Sequence, residues 1–455
     1  MNKYQDKTVL IKIPPRLHKI LDEKTIFQIG KASFSAKNLA GKIMVDPSIT
    51  STSNVILVSR RLFGKKSTLP SRAFHQLNYR LMPDKIIKIG PVVGVLIAGH
   101  ESSGSLPVAR KARIYRQLSQ IAASKNIFLY LFYADEVDWS RRIVKGILYE
   151  KPAEKGQWIK TDCCLPDIVY NRISYRYKEV TESVKDFWTQ ASKSSIYVFN
   201  SRFLNKWEIH QSLYNNPKTR EFILETDHYS EEALYRYLTN HSEFFIKPIA
   251  SSVGKGIIKI IANRLDEIKY FQLGKSTNWQ TCHSPAELFR KLSITMEERY
   301  ILQEAIRLAN INERVFDVRA QVQKDGQGKW QFTGAAVRVA AAGKFVTHVP
   351  NGGSKRDYYA TINEVFGPAS PIVEGLDKQL STICHTIPET LEDSLGINLA
   401  VLSLDIGIDQ NGHMWIIEAN SKPASFDEED INQRHLDLLT DYLLFKSDLL
   451  LHNER

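Results

Sequence analysis

The sequence predicts a mixed α/β protein in three parts: a small β-rich domain over residues 1–88, a parallel α/β domain over 89–200, and a larger domain of hairpins and helices over 201–455. Three observations predict this. Short apolar runs such as Val9-Leu10-Ile11, Val55-Ile56-Leu57-Val58 and Ile86-Ile87 alternate with Pro, Gly and Ser through the first part, the pattern of short strands. The buried-type strand Val92-Val93-Gly94-Val95-Leu96-Ile97-Ala98 precedes a helical pattern at 107–124 and the strand Ile127–Phe132. Strand–helix–strand at this length is a βαβ unit, which implies a parallel sheet. Finally, Leu404–Asn420 reads as two alternating strands joined by Asn411-Gly412. Asn-Gly is the strongest short-range hairpin signal, because both turn residues tolerate positive φ. Ile168-Val169-Tyr170 adds a strand to the middle part, and a helical pattern from Leu436 to Leu451 closes the chain.

The length of 455 residues agrees with about three domains. Hydrophobic content of 43% and charged content of 24% are ordinary for a protein with real cores. The longest apolar run, Val92–Ala98, is too short to span a bilayer, and no apolar stretch follows Met1–Lys7 as a signal peptide requires. A cytoplasmic location is expected. Cys163, Cys164, Cys282 and Cys384 have neither zinc-site nor disulfide-framework spacing, so buried reduced thiols are expected. The net charge of +11 favours anionic partners, but its lysines and arginines are spread out and no nucleic-acid-binding signature accompanies them. The sequence is silent on oligomeric state.

The hairpin carries the chemistry. With Asn411 and Gly412 as a two-residue turn, Gln410 faces His413 and Asp405 lies opposite Glu418. Residues two apart on a strand share a face, so Asn420 points the same way. Like charges directly opposite each other are destabilising. Two carboxylates and a carboxamide there need either a cation between them or water around them, and the hard oxygen set suits Mg²⁺. A four-residue loop would leave the carboxylates as diagonal neighbours. A three-residue loop with a bulge would separate them.

Upstream, Phe244–Pro248 is a strand ending in Lys247-Pro248, followed by Ala250-Ser251-Ser252-Val253-Gly254-Lys255-Gly256 and the strand Ile257–Ile261. Such a loop can wrap phosphate oxygens with backbone N–H groups, with Lys247 as a point charge, or can be a flexible hairpin with solvated lysines. The strand Val315–Val322 puts Asp317, Arg319 and Gln321 on one face, and Arg338 sits on the next strand. Two guanidinium forks can hold a triphosphate or acyl phosphate, or can form a salt-bridged solvent face. The glycines around Val92–Gly104 miss the dinucleotide spacing, and Gly274-Lys275-Ser276 lacks the first glycine of a Walker A loop.

The order of these elements resembles the ATP-grasp superfamily over residues 201–455. More narrowly, Asn205-Lys206-Trp207-Glu208, Lys247-Pro248, Phe316-Asp317-Val318-Arg319, Leu404–Asp409 and Glu418-Ala419-Asn420-Ser421-Lys422-Pro423 resemble the YheC/YheD-type, endospore coat-associated ATP-grasp proteins. The resemblance implies an ATP-grasp fold preceded by a small parallel α/β (pre-ATP-grasp) domain. It implies ATP and Mg²⁺ as cofactors, with Lys206 and Lys247 on the phosphates and Ser251, Ser252, Val253 and Gly254 in the flap over them. Gln303, Glu304, Ala305 and Ile306 would form the adenine hinge. Arg319 and Arg338 would stabilise the transferring phosphoryl group, and Asp405, Glu418 and Asn420 would hold Mg²⁺. Asn310 and Asn312 are candidates for the ribose. The implied activity is an ADP-forming carboxylate–amine ligase acting on small-molecule or peptide substrates of anionic character, in the cytoplasm or with the spore. The alternatives are an ATP-binding coat or envelope protein with little turnover, and a small-molecule kinase.

Overall fold

The computed structural model describes residues 10–50, 54–59, 62, 74–98, 112–150, 156–251, 254, 256–294, 300–345, 347 and 352–447. The chain forms two compact units. One comprises Met1–Arg202, Lys324–Lys329 and Ala424–Arg455; the other comprises Phe203–Gln323 and Trp330–Pro423.

The first unit contains two seven-stranded sheets. The first of these lies between Ile11 and Gly90, where alternating strands such as Ile26–Ile29 and Val55–Ser59 bury every second side chain. In the second, Phe128–Phe132, Val92–Leu96, Ile168–Asn171 and Tyr197–Phe199 run parallel, side by side. The strands Val92–Leu96 and Phe128–Phe132 are buried throughout, as parallel strands covered on both faces must be. Helix Ala112–Ser124 connects them, so the expected βαβ unit is present; residues 107–111 of the predicted helix lie outside the described residues. The terminal helix Glu429–Lys446 also packs in this unit, burying Leu436, Leu439, Tyr442 and Leu443. Lys125 Nζ donates to its Asp441 at 2.6 Å, and the hydroxyls of Tyr197 and Tyr442 meet at 2.7 Å. Residues 448–451 of that helical pattern lie outside the described residues.

The second unit contains two six-stranded sheets. One orders Thr226–His228, Tyr300–Glu304, Glu243–Pro248, Ile258–Arg264, Glu267–Gln272 and Gln280–Cys282, all antiparallel. Helices Glu231–Asn240 and Pro285–Leu292 add Leu234, Tyr237 and Leu288 to its core. The other orders Ser354–Asp357, Trp330–Val339, Arg314–Lys324, Val401–Ile408 and Met414–Asn420, with the short strand Asn310–Ile311 pairing beside Arg314–Lys324 as its sixth. Helices Lys206–Asn215, Tyr358–Phe366 and Pro371–Leu395 cover its apolar face through Leu213, Ile362, Leu376 and Ile383. One face of each sheet is thereby left for polar groups. Among the described residues no helix is long and apolar enough to cross a membrane. The four cysteines are buried free thiols, as expected.

Candidate functional site

The hairpin differs locally from the two-residue turn that the sequence suggests. Ile408 pairs with Met414 and Gly407 with Trp415, while Asp409 N–H donates to His413 O at 3.0 Å, so the loop holds three residues. Gly412 takes the left-handed conformation at φ 79°, as a three-residue loop of this kind requires. Such a loop alone would slip the register by one. A second irregularity between Asp405 and Ile406 leaves Ile417 without a partner and restores it: Asp405 pairs with Glu418 and Ser403 with Asn420. The expected facing of Asp405 and Glu418 is therefore present, by a different route. Asp409 serves the turn instead. Its carboxylate accepts from Asn411 N, His413 N and Trp415 Nε1 at 2.9, 3.0 and 3.1 Å.

On the neighbouring strand Arg319 lies directly opposite Asp405, so Arg319, Asp405 and Glu418 form a row across three strands. Arg319 grips Asp405 with both ends of its fork, Nε to Oδ1 at 2.9 Å and Nη2 to Oδ2 at 3.1 Å. Arg338, on Trp330–Val339, makes the same bidentate contact with Asp317 at 2.7 and 2.9 Å and reaches Asp405 Oδ2 at 3.1 Å. Thr347 also donates to Asp317. Burial pulls the Asp405 carboxyl upward, but the Arg319 and Arg338 guanidiniums outweigh it and hold it below the ordinary carboxylate range. Asp317 goes the other way: burial, assisted by the Asp405 charge, outweighs Arg338 and pushes it up. Asp317, which lies within the Phe316–Arg319 motif and on the face of Arg319, had no role assigned from the sequence; here it holds Arg338.

Helix Lys206–Asn215 begins with a capping box, in which Asn205 accepts from Glu208 N and the Glu208 carboxylate accepts from Asn205 N. This sets Lys206 at the first helical position. Its Nζ donates to Glu418 Oε1 at 3.2 Å and to Ser251 O at 3.1 Å, and its N–H donates to Ile249 O. Lys206 thus joins the metal-type hairpin to the base of the flap. In the flap hairpin, Glu243–Pro248 pairs with Ile258–Arg264, and Gly254 and Gly256 take left-handed conformations at φ 70° and 76°. Ser252, Val253 and Lys255 lie outside the described residues.

Lys247 is only 8% exposed, and its Nζ donates to Gln303 Oε1 at 2.6 Å. Burial, then the charge of Lys206, lower its pKa from 10.5 to about 8 against the opposing pull of Glu418. Gln303 thus does side-chain work that a backbone hinge role did not foretell; it also donates to Thr226 Oγ1 at 3.1 Å. Of the expected hinge, the amides of Glu304 and Ala305 bond to Glu225 O and Glu243 O, and Ile306 leans on Gly407, where an added Cβ would stand 2.8 Å from Ile306 Cδ1. A cleft between the sheets is lined by Lys206, Ile209, His210, Gln303, Ile416 and Glu418 among others. Its apolar walls and His210, whose pKa burial lowers, carried no sequence signal beyond helical spacing. Asn310 is exposed on the short strand Asn310–Ile311, and Asn312 occupies a left-handed turn after it. His413 is structural: its Nε2 meets Glu221 O at 2.9 Å.

The oxygen donors fit Mg²⁺. Asp405 and Glu418 face each other with Asn420 on the same face, and basic groups now supply the neutralisation that a cation would share. A family model for YheC/D-like ATP-grasp domains matches residues 195–447. The chain belongs to the YheC/D-like ATP-grasp family. It is 27% identical over 403 residues to the endospore coat-associated protein YheD of Bacillus subtilis, covering 85% of this chain and 83% of that protein. It is 23% identical over 283 residues to YheC of the same organism, covering 62% and 76%. A solved structure of D-alanyl-alanine synthetase A from Vibrio cholerae aligns with a TM-score of 0.46 and 11% identity, over 78% of this chain and 98% of that one.

Proposed function

We propose that this protein is an ATP- and Mg²⁺-dependent carboxylate–amine ligase. The observation that carries the proposal is the gathering in one unit of the Lys206–Glu418 pair, of Arg319 and Arg338 on the Asp405 that pairs with Glu418, and of the buried Lys247. It gathers basic side chains and oxygen donors from both sheets, with Lys206, Gln303 and Glu418 lining a cleft, and a bound nucleoside triphosphate with its cation requires such groups. Lys206 and Lys247 would hold phosphate oxygens, with Ser251, Ser252, Val253 and Gly254 closing over them. The backbone of residues 303–306 would meet the adenine. Asp405, Glu418 and Asn420 would hold Mg²⁺, which when bound supplies charge neutralisation on the phosphates. Arg319 and Arg338 would stabilise charge on the phosphoryl group as it passes to a substrate carboxylate oxygen. The carbonyl carbon of the resulting acyl phosphate is attacked by an amine, the amide C–N bond forms, phosphate leaves and the amine loses a proton. Positioning and electrostatics do the work, so no nucleophilic side chain is needed. We assign this chemistry to the 201–455 segment, with 89–200 as the preceding α/β domain and 1–88 as the β-rich domain.

A second reading is favoured by the names of the relatives, which are endospore coat-associated. In that reading the chain binds ATP in a coat or envelope setting and turns it over little. Incubation with Mg-ATP, candidate carboxylic acids and hydroxylamine separates the possibilities. A hydroxamate with ADP supports the ligase. A stable phosphate ester refutes it in favour of a kinase, and nucleotide binding without ADP refutes it in favour of the coat protein.

A further inference from the structure

A second group of metal-ligand side chains lies in the same unit, on the side of the hinge strand away from Lys247. Glu225 precedes the strand Thr226–His228, His241 follows the helix Glu231–Asn240, and Glu304 ends the strand Tyr300–Glu304. Side chains alternate along a strand, so Glu304 points away from the face where its neighbour Gln303 holds Lys247. One ligand-type atom from each of the three residues lies within 4.8 Å of the others. His241 Nε2 is 3.5 Å from Glu225 Oε1, is shielded from solvent, and makes no hydrogen bond.

An independent observation points into the same place. Tyr237 is fully buried, its ring centroid lies 4.8 Å from that of His241, and its hydroxyl has no hydrogen-bond partner. Its hydroxyl can donate to a carboxylate or to a metal-bound water. Leaving a buried imidazole nitrogen and a buried hydroxyl unsatisfied costs free energy that a bound ion with its water would recover.

We propose that Glu225, His241 and Glu304 form a zinc-class divalent cation site behind the adenine hinge. One imidazole nitrogen with two carboxylate oxygens matches Zn²⁺, whereas Mg²⁺ prefers oxygen ligands alone. Three protein ligands leave a fourth position for water beside Tyr237. Ligand atoms around a tetrahedral Zn²⁺ lie about 3.4 Å apart, from bond lengths of about 2.1 Å. His241 Nε2 and Glu225 Oε1 already stand at about that spacing, 3.5 Å, and the Glu225 side chain, 52% exposed, has room to adjust. Glu304 is already oriented, since its Oε1 accepts from Glu225 N at 2.8 Å. The ion would tie together three segments far apart in sequence and stiffen the strand whose other face holds Lys247. It is distinct from the Mg²⁺ ligands Asp405, Glu418 and Asn420.

The test uses the full chain, stripped of metal and titrated with Zn²⁺ alone, followed by calorimetry, bound-metal analysis and thermal unfolding. One equivalent should bind and raise Tm, and excess Mg²⁺ should not displace it. Glu225→Gln, at an exposed position that does not threaten folding, and His241→Ala should each weaken binding about 100-fold or more, since even outer-shell partners are worth about 10- to 100-fold. Asp405→Asn should leave this equivalent in place. Equal Zn²⁺ binding by wild type and both variants overturns the proposal. So does absence of binding in the wild type, or loss of the equivalent in Asp405→Asn alone. None of these outcomes depends on ligase activity.

Discussion

Lys247 is a charged side chain kept where charge is costly, and its replacement by methionine measures that cost. Burial and Lys206 bring its pKa from 10.5 to about 8. A tenfold change in proton affinity is worth about 1.4 kcal/mol, so the native state carries a penalty of about 3 kcal/mol while the lysine is protonated. The unfolded chain holds this proton more tightly than the native one. Below about pH 8 both states are protonated and the whole penalty is felt. Between about 8 and 10.5 the native lysine releases its proton first, so stability rises with pH across that window. Lys247→Met has no such dependence. Wild type should therefore gain about 3 kcal/mol relative to the variant between neutral pH and the top of the window. Losing the bond to Gln303 Oε1 costs the variant about 1–3 kcal/mol, but that offset is much the same at every pH. The change with pH is thus the clean observable. It should be read by urea unfolding combined with hydrogen exchange in the strands Glu243–Pro248 and Tyr300–Glu304, because a chain of two units need not unfold in one step. Parallel stability–pH curves for the two proteins would refute the argument. A triphosphate beside Lys247 should raise its pKa again, so ATP should stabilise wild type more at neutral pH than at the alkaline end, and stabilise the variant little.

Three further expectations separate structural from functional side chains on neighbouring strands. Asp409→Ala removes acceptors for three hydrogen bonds at the turn and should cost about 1–3 kcal/mol of stability while leaving the Mg²⁺ dependence of ATP turnover unchanged, as measured by ADP release against free Mg²⁺. Asp405→Asn leaves Arg319 and Arg338 without their shared carboxylate charge; it should abolish Mg-ATP turnover and lower Tm in the same measurements. Gly407→Val drives a side chain into Ile306 and Leu308, so the KM for ATP should rise more than kcat falls, with an overpacking cost of about 1–3 kcal/mol by urea unfolding.

How much of this was legible in the sequence depended on the range of the interaction. The βαβ unit and the hairpin follow from local periodicity and turn chemistry, and both are present. The capping box at Asn205 and Glu208 is likewise local. The loop length is not fixed by its sequence, because Asn-Gly also suits a three-residue loop with glycine at its left-handed position. The compensating bulge at Ile417 has no sequence signature, since an apolar residue fits a bulge and a ladder alike. The pairs Lys247–Gln303 and Arg338–Asp317 join different strands, and strand order is decided by packing rather than by either partner's neighbours. Periodicity foretold the terminal helix, yet its apolar stripe does not say which core it covers.

The fork between Arg319 and Asp405 shows how the site can hold two opposing groups on one carboxylate. A carboxylate offers about four lone-pair positions. Arg319 takes two of them and Arg338 a third, so about one remains for a cation. Metal binding must therefore compete with the guanidiniums, and Arg319, at 26% exposure against 9% for Arg338, is the one with room to withdraw. Arg319→Lys tests this. Lysine keeps the positive charge but cannot occupy both oxygens with a planar fork. Its ammonium should free one position on Asp405, so half-maximal turnover should need less Mg²⁺, by a factor of a few for about 1 kcal/mol of relieved competition. Turnover at saturating Mg²⁺ should fall, because the fork that would brace the transferring phosphoryl group is gone. Titrating Mg²⁺ at fixed ATP gives both quantities from one set of rates. A variant with wild-type Mg²⁺ dependence and reduced turnover would show that Arg319 serves only the phosphoryl group. One with both unchanged would remove Arg319 from the site.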